Sequence, residues 1–143
     1  MLKVAIGADH GGFELKEFLK NNFKNVEVSW VDVGTNSTES CDYPLIADKV
    51  VETILNKQAD LGVLICGSGI GISIAANRHK GIRAALLYSD EVARLSKEHN
   101  NANVAVFGAR TQNHDDVVRF LITFLTTEFS NGERHCRRIE ELG

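Results

Sequence analysis

The feature that most constrains the fold is an uninterrupted apolar run at residues 61–66, which ends on Cys66. Such a run predicts a strand buried on both faces, as in a parallel sheet covered by helices. Glycines follow at every second position through residue 71, and residues 72–77 predict a helix. The loop therefore lies at a helix N-terminus, where free N–H groups and the helix dipole favour an anion. This segment predicts a thiol beside an anion-binding loop.

The rest of the chain repeats this alternation of apolar strands and amphipathic helices. Pro44, the only proline, fits the first turn of a helix, where its missing N–H has no partner to lose. The alternation predicts an α/β fold, namely a three-layer, doubly wound, Rossmann-like sheet of five parallel strands with helices on both faces. We expect one domain over residues 1–143, closed by a short C-terminal helix at 133–142. The predicted strands are 3–8, 26–31, 61–66, 82–87 and 104–107.

Composition and charge argue against several classes of partner. The formal net charge of −3 disfavours nucleic acid or an anionic membrane as the main partner. No apolar run approaches the roughly 18 residues of a membrane span, so we expect a cytoplasmic protein. Cys41, Cys66 and Cys136 are odd in number and widely spaced, which fits neither a disulfide framework nor a zinc ribbon. No cluster has metal-ligand spacing, and we assign no role to Cys41 or Cys136.

The ends of the predicted strands carry the candidate chemistry, because ligands of such sheets bind outside the carboxyl ends of the strands. Asp9 and His10 follow the first strand, and Cys66 ends the third. Arg110 follows the fifth strand. Cys66 is either a small buried hydrophobe or a base or nucleophile whose thiolate the helix N-terminus and Ser68 stabilise. Asp9 is either a cap of the following helix or a site residue.

Four further residues are candidates for catalysis or ligand binding, and three of them are equally consistent with a structural or solvent-exposed role. His99 lies on the apolar side of its helix, where it is either a buried structural histidine or a proton carrier at a rim. Arg134 and Arg138 share one face of the tail helix, where they are either solvated or form a phosphate clamp. Tyr43 is placed to reach a ligand from the long polar loop.

The glycine spacing leaves two other functions open. The pattern is G-x-G-x-G rather than the dinucleotide fingerprint G-x-G-x-x-G, although Asp90 stands near the distance of an acidic ribose ligand. A dehydrogenase is less favoured because the loop follows the third strand rather than the first. A non-catalytic sensor of sugar phosphates or nucleotides would use the same loop. It gives no reason for a thiol and a histidine to face the ligand.

Six blocks of sequence stand in order along the chain: GADHGGF at 7–13, DYP at 42–44, ICGSGIGISIAAN at 65–77, GIRAA at 81–85, SKEHN at 96–100 and GERH at 132–135. Over residues 3–142 they resemble the ribose-5-phosphate isomerase B family. The resemblance implies an aldose–ketose isomerase of the pentose phosphate pathway, which interconverts ribose 5-phosphate and ribulose 5-phosphate through a cis-enediolate. It implies no metal and no cofactor. The family also includes isomerases of galactose 6-phosphate and allose 6-phosphate, so a six-carbon sugar phosphate is the alternative substrate.

The resemblance also implies roles for single residues. Cys66 is the base that moves a proton between C2 and C1, with Ser68 beside it. His99 protonates the ring oxygen to open the furanose, and Asp9 assists at the sugar hydroxyls. The backbone that holds the enediolate oxygens is that of Gly67, Ser68, Gly69, Ile70 and Gly71. The phosphate ligands are His10, Arg134 and Arg138, and the further substrate contacts are Asn100 and Arg110.

The resemblance also bears on the assembly, and the chain departs from the family pattern at one residue. Members of the family are dimers whose active sites take residues from both subunits, and some dimers pair into tetramers. We therefore expect a homodimer that binds a small phosphosugar. Many members carry threonine where this chain has Ser68. The hydroxyl is kept, so the substitution bears on the placing of Cys66 or on substrate preference rather than on activity itself.

Overall fold

The computed structural model describes all 143 residues, and its five strands form one parallel sheet in the order β2-β1-β3-β5-β4. The predicted α/β sheet of five parallel strands is confirmed, and so is the tail helix. None of the helices is long and apolar enough to cross a bilayer. The elements are β1 (Leu2–Ala8), α1 (Phe13–Asn22), β2 (Val28–Gly34), α2 (Tyr43–Leu55), β3 (Leu61–Cys66), α3 (Ile70–Asn77), β4 (Ala84–Leu86), α4 (Asp90–Glu98), β5 (Val104–Gly108), α5 (His114–Thr126) and α6 (Glu133–Leu142).

Helices cover both faces of the sheet and produce three layers. Along β3 the side chains alternate, with Val63 and Ile65 on one face and Leu64 and Cys66 on the other. The first face packs against α1, α4 and α5, and the second packs against α2 and α3. Because both faces of β3 are buried, nearly every position in the strand is apolar.

Strand β2 extends beyond its predicted end. The sequence predicts a strand over 26–31, but the pairing with β1 starts later and continues to Gly34. Asp32 is tolerated inside the strand because Lys16 and Lys20 of α1 neutralise it, each with Nζ 2.6 Å from Asp32 Oδ2. The polar loop before α2 therefore begins only after Gly34, and we refer to residues 35–42 as the β2–α2 loop.

Strand β4 is shorter than the predicted range of 82–87. Side-chain amides take the N–H groups at its start, because Arg83 N–H donates to Asn103 Oδ1 at 2.8 Å and Ala84 N–H donates to Asn77 Oδ1 at 2.8 Å. These two N–H groups are therefore hydrogen-bonded to side chains instead of to a neighbouring strand, and the strand begins later than predicted. The strand pairs with β5 over three residues at the edge of the sheet.

The helix starts agree with the sequence at two places and differ at a third. Pro44 lies in the first turn of α2, as predicted. Ser89, a residue type that favours N-caps, accepts the N–H of Val92 on its Oγ at 3.0 Å at the start of α4. Helix α3 begins at Ile70, two residues before its predicted start. Gly69 adopts a left-handed conformation with φ of +80°, which lets the chain turn from the loop directly into the helix.

The sheet has two edges that matter for the site. At the carboxyl edge the exits of neighbouring strands are hydrogen-bonded to each other, since Asp9 N–H donates to Ile65 O at 3.1 Å and Ala109 N–H donates to Cys66 O at 2.9 Å. This edge gathers the ends of β1, β3 and β5, as the sequence predicts. Helix α4 runs the other way, from the end of β4 back to the start of β5, and ends at the amino edge.

Candidate active site

A cleft of about 570 Å³ opens at the carboxyl edge of the sheet. It lies between the ends of β1 and β3, the first turns of α2 and α3, and the loop after β5. All but one of its lining residues are predicted site residues, so the fold brings together candidates from separate parts of the chain. The lining residues are Asp9, Tyr43, Cys66, Gly67, Ser68, Ile70, Gly71, Arg110 and Thr111.

Cys66 is the buried thiol of this cleft, with 5 % of its surface exposed. The backbone N–H of Gly69 donates to Cys66 Sγ at 3.2 Å. Helix α3 begins at the next residue, so the sulfur also lies at a helix N-terminus. The N–H group and the helix dipole both stabilise negative charge on the sulfur. Cys66 is therefore more than a small buried hydrophobe, because its sulfur accepts a hydrogen bond and lines a cleft of ligand size.

The loop after Cys66 leaves several N–H groups without an acceptor. Those of Gly67, Ser68 and Gly71 donate to no group of the chain. The N–H of Ile70 is taken by Ser68 Oγ at 3.2 Å, and that of Gly69 is taken by the thiol. Three free donors around one cleft are suited to holding the oxygens of a substrate that becomes negatively charged.

Gly69 is the residue that makes this loop possible. A Cβ added there would lie 2.6 Å from Leu86 Cδ1 and 3.0 Å from the carbonyl carbon of Phe107. Its positive φ adds strain for any other residue. Glycine is therefore required at position 69, where it sets the position of the N–H that contacts Cys66.

Asp9 and His10 leave β1 together at the carboxyl edge. Asp9 is buried, with 7 % of its surface exposed, and its carboxylate accepts the N–H of Gly12 at 3.1 Å. Gly12 is the N-cap residue of α1, so Asp9 holds the cap residue rather than occupying the cap position. His10 is not among the lining residues of the cleft. Its Nδ1 accepts the N–H of Cys41 at 3.2 Å, which leaves Nε2 available to a ligand.

Tyr43 reaches the cleft from the first turn of α2, and its ring lies against Gly71. A Cβ on Gly71 would lie 2.7 Å from Tyr43 Cζ and 2.8 Å from its hydroxyl oxygen. Gly71 is in the first turn of α3, so the lack of a side chain lets the phenol approach the helix N-terminus. The phenol is partly exposed, at 38 % for the residue, and so remains accessible to a ligand.

Arg110 crosses the glycine loop from the exit of β5. Its N–H donates to Gly67 O at 2.9 Å, and its Cδ and Nη1 lie 3.4 Å from the position of a Cβ on Gly67. No carboxylate pairs with it, so its guanidinium charge is free for an anionic ligand. Thr111, which sequence analysis missed, also lines the cleft and donates to Gly108 O at 3.3 Å. Its only signal in the sequence is its place next to Arg110.

The remaining predicted residues form a second group around α6. The rings of His99 and His135 stack with centroids 4.2 Å apart. Ser130 ties this region to the end of α4, because its N–H and Oγ both donate to Glu98 O, at 3.2 and 2.7 Å. Arg134 is exposed beside the stack. His135 is not among the predicted site residues, and nothing in the sequence indicates its contact with His99.

Burial and charge act on this second group. Burial, followed by the nearby His99, Arg134 and Arg138, lowers the pKa of the His135 imidazole below its ordinary value. Neither arginine is paired with a carboxylate. The group is therefore a patch of unpaired cations on an exposed helix, which favours an anionic ligand such as phosphate.

The two groups lie at opposite edges of the sheet. Arg83, just before β4, donates from Nε to Asn100 O at 2.9 Å, which places the end of α4 at the amino edge. Cys66 ends β3 at the carboxyl edge. A strand of this length spans roughly 16 Å. The structure of one chain therefore does not bring His99, Asn100, Arg134 or Arg138 to the cleft.

The donor set of the chain offers no evident place for a metal. No three His, Cys, Asp or Glu side chains lie together in an arrangement that holds a metal ion. A second cavity, of about 860 Å³, lies between α3, α4 and the C-terminus, and Asn100 is the one predicted site residue in its lining.

Comparisons with known proteins cover nearly the whole chain. A family model described as Ribose/Galactose Isomerase matches residues 4–142. Ribose-5-phosphate isomerase B of Escherichia coli is 39 % identical over 142 residues, which are 99 % of this chain and 95 % of that protein. A ribose 5-phosphate isomerase structure from Thermotoga maritima is 50 % identical with a TM-score of 0.92, covering 99 % of this chain and 97 % of its own. The type B ribose 5-phosphate isomerase of Trypanosoma brucei is 42 % identical with a TM-score of 0.95, covering 99 % and 97 %.

Proposed function

The chain belongs to the ribose/galactose isomerase family, and on that premise we propose that it interconverts ribose 5-phosphate and ribulose 5-phosphate with Cys66 as the base. It is an aldose–ketose isomerase of pentose phosphate metabolism. The relatives named above support the five-carbon substrate. The single observation that carries the role of Cys66 is its sulfur, which accepts the Gly69 N–H at 3.2 Å inside the cleft.

In the proposed reaction a proton moves between two neighbouring carbons. The Cys66 thiolate removes the proton from C2 of the open-chain aldose, and the C2–H electron pair forms the double bond of a cis-enediolate. The thiol then returns the proton to C1, while the hydroxyl proton of O2 is transferred to O1. The sugar is neither oxidised nor reduced overall, and no co-reactant is needed. A thiol at a helix N-terminus suits this cycle, because the Gly69 N–H and the helix dipole stabilise the thiolate that removes the proton.

The glycine loop supplies the second part of the mechanism. As the enediolate forms, negative charge develops on O1 and O2. The unused N–H groups of Gly67, Ser68 and Gly71 are fixed by the turn into α3 and so need no reorganisation to meet that charge. Asp9, held by the Gly12 N–H, assists at the sugar hydroxyls, and Arg110 and Tyr43 line the approach.

The third part requires a second copy of the chain. We propose a homodimer in which His99, Asn100, Arg134 and Arg138 of one subunit complete the cleft of the other. His99 opens the furanose ring, and the two arginines bind the phosphate together with His10. The support is twofold: these residues lie at the edge opposite Cys66, and the rim of the cleft is apolar and exposed. By rim we mean the exposed apolar side chains on the two helices that border the cleft: Tyr43 and Ile70 line the cleft, and Leu45 and Ile74 are exposed on the same helices, α2 and α3.

An unpartnered apolar rim next to a charged site is typical of a surface that meets another subunit. The arrangement closes on itself, because each cleft receives one cationic group and each chain supplies one. Pairing of dimers into tetramers stays a prediction of the sequence, as do the single domain over 1–143 and the cytoplasmic location.

A six-carbon sugar phosphate is the second candidate substrate, since the description of the matching family includes galactose. Steady-state conversion of ribose 5-phosphate, galactose 6-phosphate and allose 6-phosphate by the purified chain separates the two. We expect the largest kcat/KM for ribose 5-phosphate, and a larger value for either hexose phosphate would overturn the choice of substrate. Binding of all three without conversion would instead favour a sugar-phosphate sensor.

A further inference from the structure

Asp32 joins α1 to the end of β2 through a closed network of charges that the proposed mechanism does not use. Lys16 and Lys20, about one turn apart on α1, each place Nζ 2.6 Å from Asp32 Oδ2. Both ammonium groups also contact Glu17 Oε2, at 3.1 and 3.3 Å. The lysine at position 16 is fully buried, and two carboxylates balance the two cations. Removing one carboxylate would leave a buried charge poorly compensated.

The second oxygen of Asp32 acts on the chain beyond β2. Asp32 Oδ1 accepts the N–H of Gly34 at 2.9 Å, at the point where the strand leaves the sheet. The next N–H, that of Thr35, donates to Ala8 O at 2.8 Å. The start of the β2–α2 loop is therefore fixed against the residue that precedes Asp9.

Both of the segments that Asp32 joins reach residues of the candidate site. At the start of α1, Gly12 donates its N–H to Asp9 Oδ1 at 3.1 Å. At the far end of the β2–α2 loop, Cys41 donates its N–H to His10 Nδ1 at 3.2 Å. The carboxylate thus contacts neither site residue but anchors the two segments that hold them.

We propose that Asp32 is a positioning residue for Asp9 and His10. It fixes α1 and the β2–α2 loop relative to each other, so that the carboxylate and the imidazole keep their places at the substrate. The inference rests on the proposed function, which assigns Asp9 and His10 to the substrate. A purely structural role would hold α1 on the sheet without any effect on the loop.

The test is Asp32→Asn, which keeps the shape and an oxygen for Gly34 but removes the charge that binds the lysines. We expect faster amide exchange at Thr35 and Cys41, measured by NMR in the full-length protein. We also expect kcat/KM for ribose 5-phosphate to fall about 10- to 100-fold, because small displacements of positioning groups have effects of that size. The rate at which iodoacetamide alkylates Cys66 should stay within about twofold of wild type, since Cys66 is held by β3 and by the Gly69 N–H, which the network does not contact.

Glu17→Gln is the matched control, because it removes the other carboxylate of the network but has no contact with the loop. It should lower the unfolding midpoint while leaving KM and exchange at Thr35 and Cys41 as in wild type. Wild-type exchange at these two amides in Asp32→Asn would overturn the inference, and so would an equal effect of Glu17→Gln on them.

Two further outcomes are distinguishable. If Asp32→Asn does not fold, Lys20→Met keeps the carboxylate and the buried lysine, and the inference then requires a several-fold rise in the same two exchange rates. A wild-type protein that fails to convert ribose 5-phosphate would overturn the proposed function. The exchange rates would still decide whether Asp32 positions the loop.

Discussion

The imidazole rings of His99 and His135 stack with their centroids 4.2 Å apart and their planes 14° from parallel. The contact ties the end of α4 to α6, the helix that carries Arg134 and Arg138. Burial first, and then the neighbouring histidine and arginines, lower the pKa of His135. The stack is therefore most stable when His135 is neutral.

This relationship predicts a loss of stability in mild acid. A histidine with a lowered pKa binds more protons in the unfolded chain, so its contribution to stability is present at neutral pH. That contribution is lost as the pH falls below the ordinary value of 6.5 toward the lower folded value. Urea unfolding between pH 8 and pH 5 should give a pH slope that His135→Asn reduces.

His114→Asn is the control for this slope, since His114 lies at the start of α5 away from the stack. It removes an imidazole without touching the stack, so only a change in slope that His135→Asn shows and His114→Asn does not is assigned to the stack. An unchanged slope in His135→Asn would contradict the assignment of the acid sensitivity to the stack.

The two-subunit site predicts that two inactive variants restore activity when mixed. Cys66→Ala keeps the second group intact, and His99→Ala keeps the cleft intact, so a mixed dimer contains one complete site. With random reassociation, about a quarter of the wild-type activity should return. The measurement is conversion of ribose 5-phosphate after the two proteins are unfolded and refolded together.

The control for mixing is Cys66→Ala combined with the double variant Cys66→Ala/His99→Ala, which offers no intact cleft and should stay inactive. If the two single variants also stay inactive after mixing, although size-exclusion chromatography finds mixed dimers, a site shared between subunits is excluded.

Gly71→Ala should reduce activity without reducing stability. The added methyl would lie 2.7 Å from Tyr43 Cζ, so the ring must move out of its place in the cleft. Alanine is favoured over glycine in a helix by about 1 kcal/mol, which offsets the cost of moving a partly exposed side chain. We expect kcat/KM to fall about tenfold while the unfolding midpoint stays near that of wild type.

A double-mutant cycle checks the cause of that loss. In a Tyr43→Ala background the same Gly71→Ala change should have little further effect on kcat/KM, because the ring it displaces is gone. Equal losses in both backgrounds would show that Gly71 acts through the loop backbone instead of through Tyr43.

The proposed phosphate clamp predicts a difference between two neighbouring arginines on α6. The charges of Arg134 and Arg138 both act on the His135 imidazole, whereas Arg137 lies about 100° around α6 from Arg138 and is not among the charges that act on that ring. Arg138→Gln should raise the KM for ribose 5-phosphate and the inhibition constant for inorganic phosphate by about 10- to 100-fold, the size of a lost charged hydrogen bond. Arg137→Gln should change both by less than about twofold. Equal effects of the two substitutions would indicate a general effect of charge.

The cleft could be located from the sequence because the ends of buried strands are marked by a change in composition. The apolar run before Cys66 and the glycines after it specify a buried strand and a turn; the strand is where it was predicted, and the turn ends two residues earlier because α3 begins at Ile70. Asp9 and Arg110 follow in the same way from the ends of their strands. Their meeting at one edge then follows from the parallel topology alone.

Other features depend on contacts that local pattern does not encode. The extension of β2 requires that Lys16 and Lys20 reach Asp32, which no period in the sequence reveals. The stack of His135 on His99 joins residues far apart in the chain. Thr111 has no chemical signature of its own. The separation of His99 from Cys66 became clear only from the direction of α4.

The measurement that tests the central claim most directly is proton NMR of ribose 5-phosphate in D2O with wild-type protein and with Cys66→Ala. We expect wild type to form ribulose 5-phosphate and to incorporate deuterium at the carbon that receives the proton. We expect Cys66→Ala to do neither, although its circular dichroism spectrum and unfolding midpoint stay close to those of wild type. Conversion by Cys66→Ala at a rate near that of wild type, with deuterium at the same carbon, would contradict the role of Cys66 as the base.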